Sequence, residues 1–436
     1  MAADWMLLLG GNELNAGFVQ VARAWGVRLA VVDWNERPAI AGDRHIRLDI
    51  KSAGPIVAAL RGFEGRIRFA YTSADVAVPS TAAINACLGL SPAPDAAIAR
   101  ACNKTAMNEA WSAAGLLGKR FAACTGAADV RRFALDLGRK LIVKPADSSS
   151  SRGITVVEAD EIGAADWDHI FARAMQAGWR AGAAIAEEFV EGTEYTVEMV
   201  GDARGEVAAW GVSKKYHTVN TERNRIAVKL HYNPPDVPHE RLERIADFAA
   251  RCYRALGLRS ALGHFEVIEA PDGRLEPVEL AARSSGFIGT HLVSILGGAP
   301  GAYIAAARDV LGGASVCSGL VASPMSSMYF FYDPPPGVWR KDGAGLADYL
   351  PPAIASLAGD RERFRAGAVF GRIDCDNERY GYEVLAGPAS MLTIERVRAA
   401  EAALYADAME IGAAAGRRDP EPRRLPAAAA RSSALA

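Results

Sequence analysis

The sequence predicts a mixed α/β and α+β protein built from several domains, and three stretches carry that expectation. Met6–Leu9 is an apolar run ending at Gly10-Gly11-Asn12, followed by a helical stretch to Trp25 and a second apolar run, Arg28–Val32, that ends at Asp33. That order is the opening of an open α/β unit. Leu141–Val157, LIVKPADSSSSRGITVV, reads as strand, small-residue loop and strand. Gly263–Glu269 and Arg274–Leu280 flank Pro271-Asp272-Gly273 as the arms of a β-hairpin.

A chain of 436 residues is too long for one compact core; roughly two to four domains are expected. Half of the residues are hydrophobic and 23% are charged, the balance of a globular chain rather than a disordered one. The formal net charge of −2 supplies no global basic field for nucleic acid or an anionic membrane surface. Cys87, Cys102, Cys124, Cys252, Cys317 and Cys375 are scattered among apolar or small residues without metal-type spacing. Reduced, structural thiols in a cytoplasmic protein are the expectation. The start, MAADWMLLLGG, has an acid where a signal peptide would have basic residues, and no run is long enough to cross a bilayer. No membrane partner is expected.

The elements follow in order. The Gly10-Gly11 turn does not complete G-x-G-x-x-G, so tight packing is a better reading of it than a dinucleotide site. A strand at Ile67–Thr72 and a helix over Asp75–Leu88 complete an α/β unit of about a hundred residues. LGLSPAPD breaks the pattern, and helix resumes at Ala96, carries Lys104 and stops at Ala114-Gly115. From Arg120 to Ala186 the order is strand, helix (Ala128–Gly138), strand, Ser-rich loop, strand, helix (Trp167–Gly178), strand. Ile185–Val190 and Glu191–Val200 form two extended stretches, with Glu194 and Glu198 on one face of the second. An amphipathic helix over Glu240–Leu256 is closed by Gly257. Beyond the helix Tyr303–Leu311, strand-like Met325–Tyr332 and Ala368–Ile373 and a helix from Thr393 to Ile411 read as a cover over an edge of the main body. From Gly416 on, the Pro-, Ala- and Arg-rich sequence has no apolar period and reads as a disordered tail.

Two places carry chemistry. Small residues in the serine loop keep bulk away from the backbone, so N–H groups and hydroxyls can close over an oxyanion while Lys144 supplies a point charge. The bland alternative is a hairpin with a solvated polar loop. In the second hairpin, counting outward from the turn sets Glu266 opposite Glu279. Opposed carboxylates repel, and a divalent cation between them resolves the conflict unless they point to water. Arg283 follows directly in Ala281-Ala282-Arg283-Ser284-Ser285.

Taken in order, these motifs resemble the ATP-grasp superfamily over nearly the whole chain up to residue 411. The resemblance implies an N-terminal α/β pre-ATP-grasp domain over 1–95 and an ATP-grasp domain over 96–315, with a lid subdomain at 120–186. It further implies an ATP-grasp-associated cover domain over 316–413, before the tail at 414–436. It implies ATP and Mg2+, or Mn2+, as cofactors. Lys104 and Lys144 would meet the phosphates, with Ser149, Ser150, Ser151 and Gly153 as the lid. Glu187, Phe189 and Val190 would hold adenine, Glu194 the ribose, Glu266 and Glu279 the metal, and Arg283 would act as the catalytic cation. Many members carry a metal-ligating Asn where this chain has Ala281, which has no donor atom.

Within the superfamily the chain is similar to carboxylate–amine ligases of the L-amino-acid ligase (dipeptide synthetase) type. That implies activation of a carboxylate as an acyl phosphate, capture by an amine, and release of ADP and phosphate. The implied partners are small-molecule carboxylate and amine substrates, amino acids foremost, and a second copy of the chain in a homodimer. Lys214, His217, Arg223, Arg225 and His291 are candidates for the second-substrate surface, against the ordinary reading of each as surface or packing. Alternatives are a carboxylase of the carboxyaminoimidazole ribonucleotide synthetase or biotin carboxylase type, and a non-catalytic nucleotide-binding relative.

Overall fold

The computed structural model describes residues 3–12, 15–179, 182–218, 227–234, 236–285, 302–316, 324–373 and 375–411. At the N-terminal end, β1 (Asp4–Leu9), α1 (Ala16–Ala24), β2 (Arg28–Asp33), β3 (Arg44–Arg47), α2 (Ala53–Leu60) and β4 (Arg66–Thr72) build a parallel sheet in the order β3-β2-β1-β4. Strands buried on both faces need continuous apolar runs, and Met6–Leu9 and Leu29–Val32 supply them. Asp33 ends β2, and its carboxylate accepts the Gly11 N–H at 2.8 Å. It braces the glycine turn, the packing role that the incomplete glycine motif suggested. A 3-10 turn at Asp75–Ala77 leads into α3 (Val78–Cys87), which leaves Asp75 just beyond the carboxyl end of β4, where open α/β sheets present ligands.

The sequence predicts one helix through Lys104, but the structure has two, α4 (Asp95–Ala101) and α5 (Lys104–Ala113). The break lies at Cys102-Asn103: Asn103 is extended, and its side chain caps α5 by accepting the Ala106 N–H at 3.1 Å. Lys104 therefore opens a helix and is buried.

β5 (Phe121–Cys124), α6 (Ala127–Leu137), β6 (Leu141–Pro145), β7 (Thr155–Val157), α7 (Trp167–Ala177) and β8 (Ala184–Glu188) form an antiparallel sheet in the order β5-β8-β6-β7. Its outward-facing Leu141 and Val143 pack with Val130 and Phe133 of α6 and Ile170 of α7. The opposite face presents Ile142, Ile154 and Val156 beside Phe189.

β9 (Thr193–Gly201), β10 (Val207–His217), β11 (Val228–Asn233), α8 (His239–Ala255), β12 (Ala261–Glu269) and β13 (Leu275–Ala281) follow, then α9 (Ala302–Leu311). The chain continues with β14 (Met325–Phe331), β15 (Gly337–Trp339), β16 (Ala355–Asp360), β17 (Val369–Phe370), β18 (Tyr382–Pro388), α10 (Ile394–Ala408) and β19 (Met409–Ile411). The central sheet runs β13-β12-β9-β10-β11-β14-β18-β16. The C-terminal region is thus more than a cover. Three of its strands extend the central sheet, and β15, β17 and β19 form a small separate one.

Strand periodicity divides the central sheet by chemistry. Tyr195, Val197, Met199, Val212, Phe265, Val267 and Leu280 pack on α8 and Trp111. The alternate positions Glu194, Thr196 and Glu198 share the other face with Lys215, His231, His264 and Glu266, which lie on neighbouring strands in register.

Candidate active site

A cavity of about 490 Å³ opens between the polar face of the central sheet, the lid sheet and the end of β4. One wall is a knot of buried charge. Glu187, on β8, stands one strand from Lys144 at the end of β6. Its carboxylate receives Lys144 at 2.7 Å, Lys119 at 3.2 Å and the Asn108 amide at 2.6 Å. Burial pushes the Glu187 carboxyl up, but the two ammonium groups and the Asn108 donor outweigh it and leave it at about 2. Lys144 is held above the usual lysine value: burial opposes its charge, and Glu187 overcomes that. For Lys119 burial wins and the value falls. Both lysines reach the cavity from a rigid base, with Glu187 holding them in place.

Lys104 spans the root of the lid loop and the hairpin, donating to the Ser148 carbonyl at 2.6 Å and pairing with Glu279 at 3.2 Å. Ser149, Ser150 and Ser151 line the cavity. Ser150 and Ser151 have φ of 59° and 55°, a conformation that side chains rarely adopt. The Ser150 carbonyl accepts from the Asp376 N–H at 3.2 Å, and the Ser151 hydroxyl donates to the Asp376 carboxylate at 3.1 Å. Gly153, expected on the lid's inner surface, faces the other way. At φ 69° a Cβ there would lie 2.5 Å from the Ala177 Cβ, so glycine lets the loop return against α7, and the residue is absent from the cavity wall.

An apolar cleft lies above the knot, lined by Ile142, Ile154, Phe189, Val190, Ile268 and Val278, with the Lys140 ammonium 4.1 Å from the Phe189 ring centre. A flat aromatic base fits between such walls.

The hairpin register sets Glu266 opposite Glu279, and both line the cavity. Lys215 bridges Glu194 at 2.6 Å and Glu266 at 3.1 Å, and His217 lies 2.7 Å from Glu194. His264 reaches Glu198 through Nδ1 at 2.5 Å and Glu266 through Nε2 at 3.6 Å. Burial works against its charge, but Glu198 and then Glu266 raise it to about 9, so it is a cation at neutral pH. Arg283 grips Asp75 with Nε and Nη2, each at 2.6 Å. Ala281 lies across from His264 in register and offers no ligand atom. Among the described residues no cluster of three or more His, Cys, Asp or Glu has metal-binding geometry. Glu266 and Glu279, opposed in register and beside Lys215 and Lys104, nevertheless fit Mg2+ in their oxygen donors, since that ion keeps waters and takes phosphate oxygens as further ligands.

Every residue expected to hold nucleotide or metal or to act as the catalytic cation lines this cavity except Gly153. Lys214 does not: it shares the opposite face of β10 with Tyr216, its ammonium 5.1 Å from that ring, and the neighbouring Lys215 occupies the site. His217 is on the wall, whereas Arg223, Arg225 and His291 fall outside the described residues. Lys119, Lys215, His231, His264, Asp75 and Arg379 also line the cavity and carry no sequence motif. Alternation along Ser213, Lys215 and His217 was the available signal for one of them.

Residues 137–291 match the family model of the ATP-grasp domain. An uncharacterized protein of Sinorhizobium fredii is 31% identical over 169 residues, which are 38% of this chain and 33% of that protein. A D-alanine–D-alanine ligase of Cupriavidus metallidurans is 32% identical over 218 residues, 47% of this chain and 61% of that one. The chain thus spans less than two thirds of either curated relative. Among solved structures, an L-amino acid ligase from Bacillus licheniformis superposes with a TM-score of 0.68 over 94% of this chain and 99% of that one, at 17% identity, a likeness of fold. With the matched segment running from the lid strand β6 through the hairpin that carries Glu266 and Glu279, the chain is an ATP-grasp domain protein with the ATP-grasp fold.

Proposed function

We propose that the protein is an ADP-forming ligase that activates a small carboxylate as an acyl phosphate and joins it to an amine. The observation that carries this reading is the convergence of Lys104, Lys144, Glu266, Glu279 and Arg283 on one cavity beneath a serine-rich loop. Nucleotide binding alone does not require a carboxylate pair and a braced arginine beyond the lysines. The two matched relatives named as ligases both act on amino acids by name, which favours amino acids as substrates.

ATP as substrate would supply the phosphoryl group, and Glu266 and Glu279 would hold Mg2+ to offset its charge. The cleft at Phe189 and Val190 takes the base, and Glu194 the ribose hydroxyls. Lys104, Lys144 and Lys119 stabilise charge that spreads over the phosphates during transfer, work done by position and electrostatics. Arg283 is aimed by Asp75 and by the Ser284 carbonyl, which accepts from Nη1 at 2.8 Å, so its remaining N–H groups can meet the substrate carboxylate or the tetrahedral oxyanion. Ser148–Ser151 exclude water from the labile acyl phosphate.

The test is a phosphate-release screen of the purified protein with ATP, Mg2+ and pairs of amino acids, followed by mass measurement of the product. ADP, phosphate and an amide are expected. AMP with pyrophosphate, or no phosphate above the protein-free control with any pair, would overturn the reading.

A further inference from the structure

Amide formation needs a proton acceptor, because an amine entering as ammonium cannot attack until it is deprotonated and must shed a second proton once bonded. Among the described residues, every carboxylate that lines the cavity is already ion-paired: Asp75 with Arg283, Glu187 with Lys119 and Lys144, and Glu188 with Arg139. Glu191 pairs with Lys140, Glu194 and Glu266 with Lys215, Glu276 with Arg274, Glu279 with Lys104, and Asp376 with Arg379. Of the three cavity histidines, His264 is paired with Glu198 at 2.5 Å and His217 lies against Glu194.

His231 is different. It is 5% exposed, lines the cavity from β11, and its Nδ1 is buried with no hydrogen-bond partner among the described residues. Register sets it beside Lys215 on β10, the lysine that touches Glu266, and beside Tyr329 on β14. From the proposed ligase reading, on which this inference rests, we infer that His231 is the proton acceptor of the amide-forming step. The amine lone pair forms the C–N bond to the acyl carbon. The C–O bond to the phosphoryl oxygen breaks, and phosphate leaves with that electron pair. The proton of the entering ammonium moves first to the His231 imidazole and from there to solvent, and the proton shed by the bonded nitrogen leaves with the phosphate.

The surroundings suit the task. Burial, then Lys215, His264 and Arg379 hold the imidazole well below the usual histidine value, against the weaker pull of Glu266, and Tyr329 adds no charge at neutral pH. His231 is therefore unprotonated when substrates arrive. Bound nucleotide and the acyl phosphate bring negative charge among those same cations, which raises the basicity of the imidazole as the ammonium enters.

Hydroxylamine separates the steps, because it arrives as a free base at neutral pH and captures acyl phosphates as hydroxamates. His231→Asn and His231→Gln are compared with wild type in the full chain, with ATP, Mg2+ and pooled amino acids, with and without hydroxylamine. Amide formation is expected to fall by about 100-fold or more, while hydroxamate formation falls by about fivefold at most, and raising the pH should recover part of the amide rate. Equal loss of both products, or no loss of either, overturns the assignment. In wild type, a solvent deuterium isotope effect on amide but not hydroxamate formation is expected; its absence overturns the assignment even if both variants misfold. Wild-type protein that gives neither product removes the ligase reading instead.

Discussion

At the residue scale the site is a set of buried charges whose partners fix where each one points, and Glu187 shows what this implies. Its folded carboxyl sits at about 2, below the ordinary 4.5, so the stability it contributes is fully present above 4.5 and is lost as pH falls through 4.5 toward 2. Glu187→Gln should cost about 3–5 kcal/mol near neutral pH because it leaves two lysines facing a neutral amide. Urea denaturation should show that deficit narrowing as pH falls below 4.5. Lys144→Ala should behave differently. Lys119 stays on Glu187, so the fold should persist by circular dichroism while turnover drops by about 100-fold or more. Near-normal turnover would remove Lys144 from the phosphate site. Ala281→Asn puts an amide oxygen beside the carboxylate pair, and the Mg2+ concentration for half-maximal activity should fall several-fold. An unchanged requirement would mean that water serves as well.

At the scale of elements, legibility followed local pattern. The lid strands and the Glu266 hairpin could be read because turn residues and alternation agree there, and the register then set the two carboxylates opposite each other. β10 and β11 went unread, since Ala208-Ala209 and Gly211 blur the alternation, and with them Lys215 and His231 were missed. β16 is largely exposed and has no apolar face, so only pairing with β18 reveals it as a sheet edge. Asn103 was a readable cap that would have split α4 from α5. The contact between lid and C-terminal region could not be read at all, because Ser151 and Asp376 are far apart in sequence. Asp376 also accepts from Val228 N at 2.8 Å and pairs with Arg379 at 2.6 Å, so one carboxylate ties the lid tip to the central sheet. Each left-handed serine costs about 1–2 kcal/mol, which those bonds must offset. Ser151→Ala, which deletes the hydroxyl bond to Asp376 and spares Arg379, should raise KM for ATP by about threefold to tenfold and speed proteolysis within 148–153, with kcat changed less. Unchanged proteolysis and KM would show that the lid closes without this tie.

At the scale of the whole molecule, the N-terminal sheet is part of the site and not an appendage. Met6, Leu8, Phe69 and Tyr71 share one core with Val200 and Leu262 of the central sheet and with Tyr303 and Phe331. Removing the first 95 residues would expose that face, so a chain beginning at Ala96 is expected to aggregate. The same interface delivers Asp75 to Arg283, with side-chain exposures of 19% and 11%. An arginine held by two bonds to Asp75 and one to the Ser284 carbonyl cannot swing away, so its charge is aimed before substrate arrives. Asp75→Ala should therefore cost activity by about 10- to 100-fold while Arg283 is still present, and stability by about 3 kcal/mol or more through the uncompensated cation. The decisive measurement is the double-mutant cycle with Arg283→Ala. If Asp75 acts by aiming Arg283, the double variant should be no slower than Arg283→Ala alone and should regain part of the lost stability. Simple additivity in kcat/KM would mean that Asp75 touches substrate by itself, and the N-terminal sheet would then hold a binding group instead of a brace.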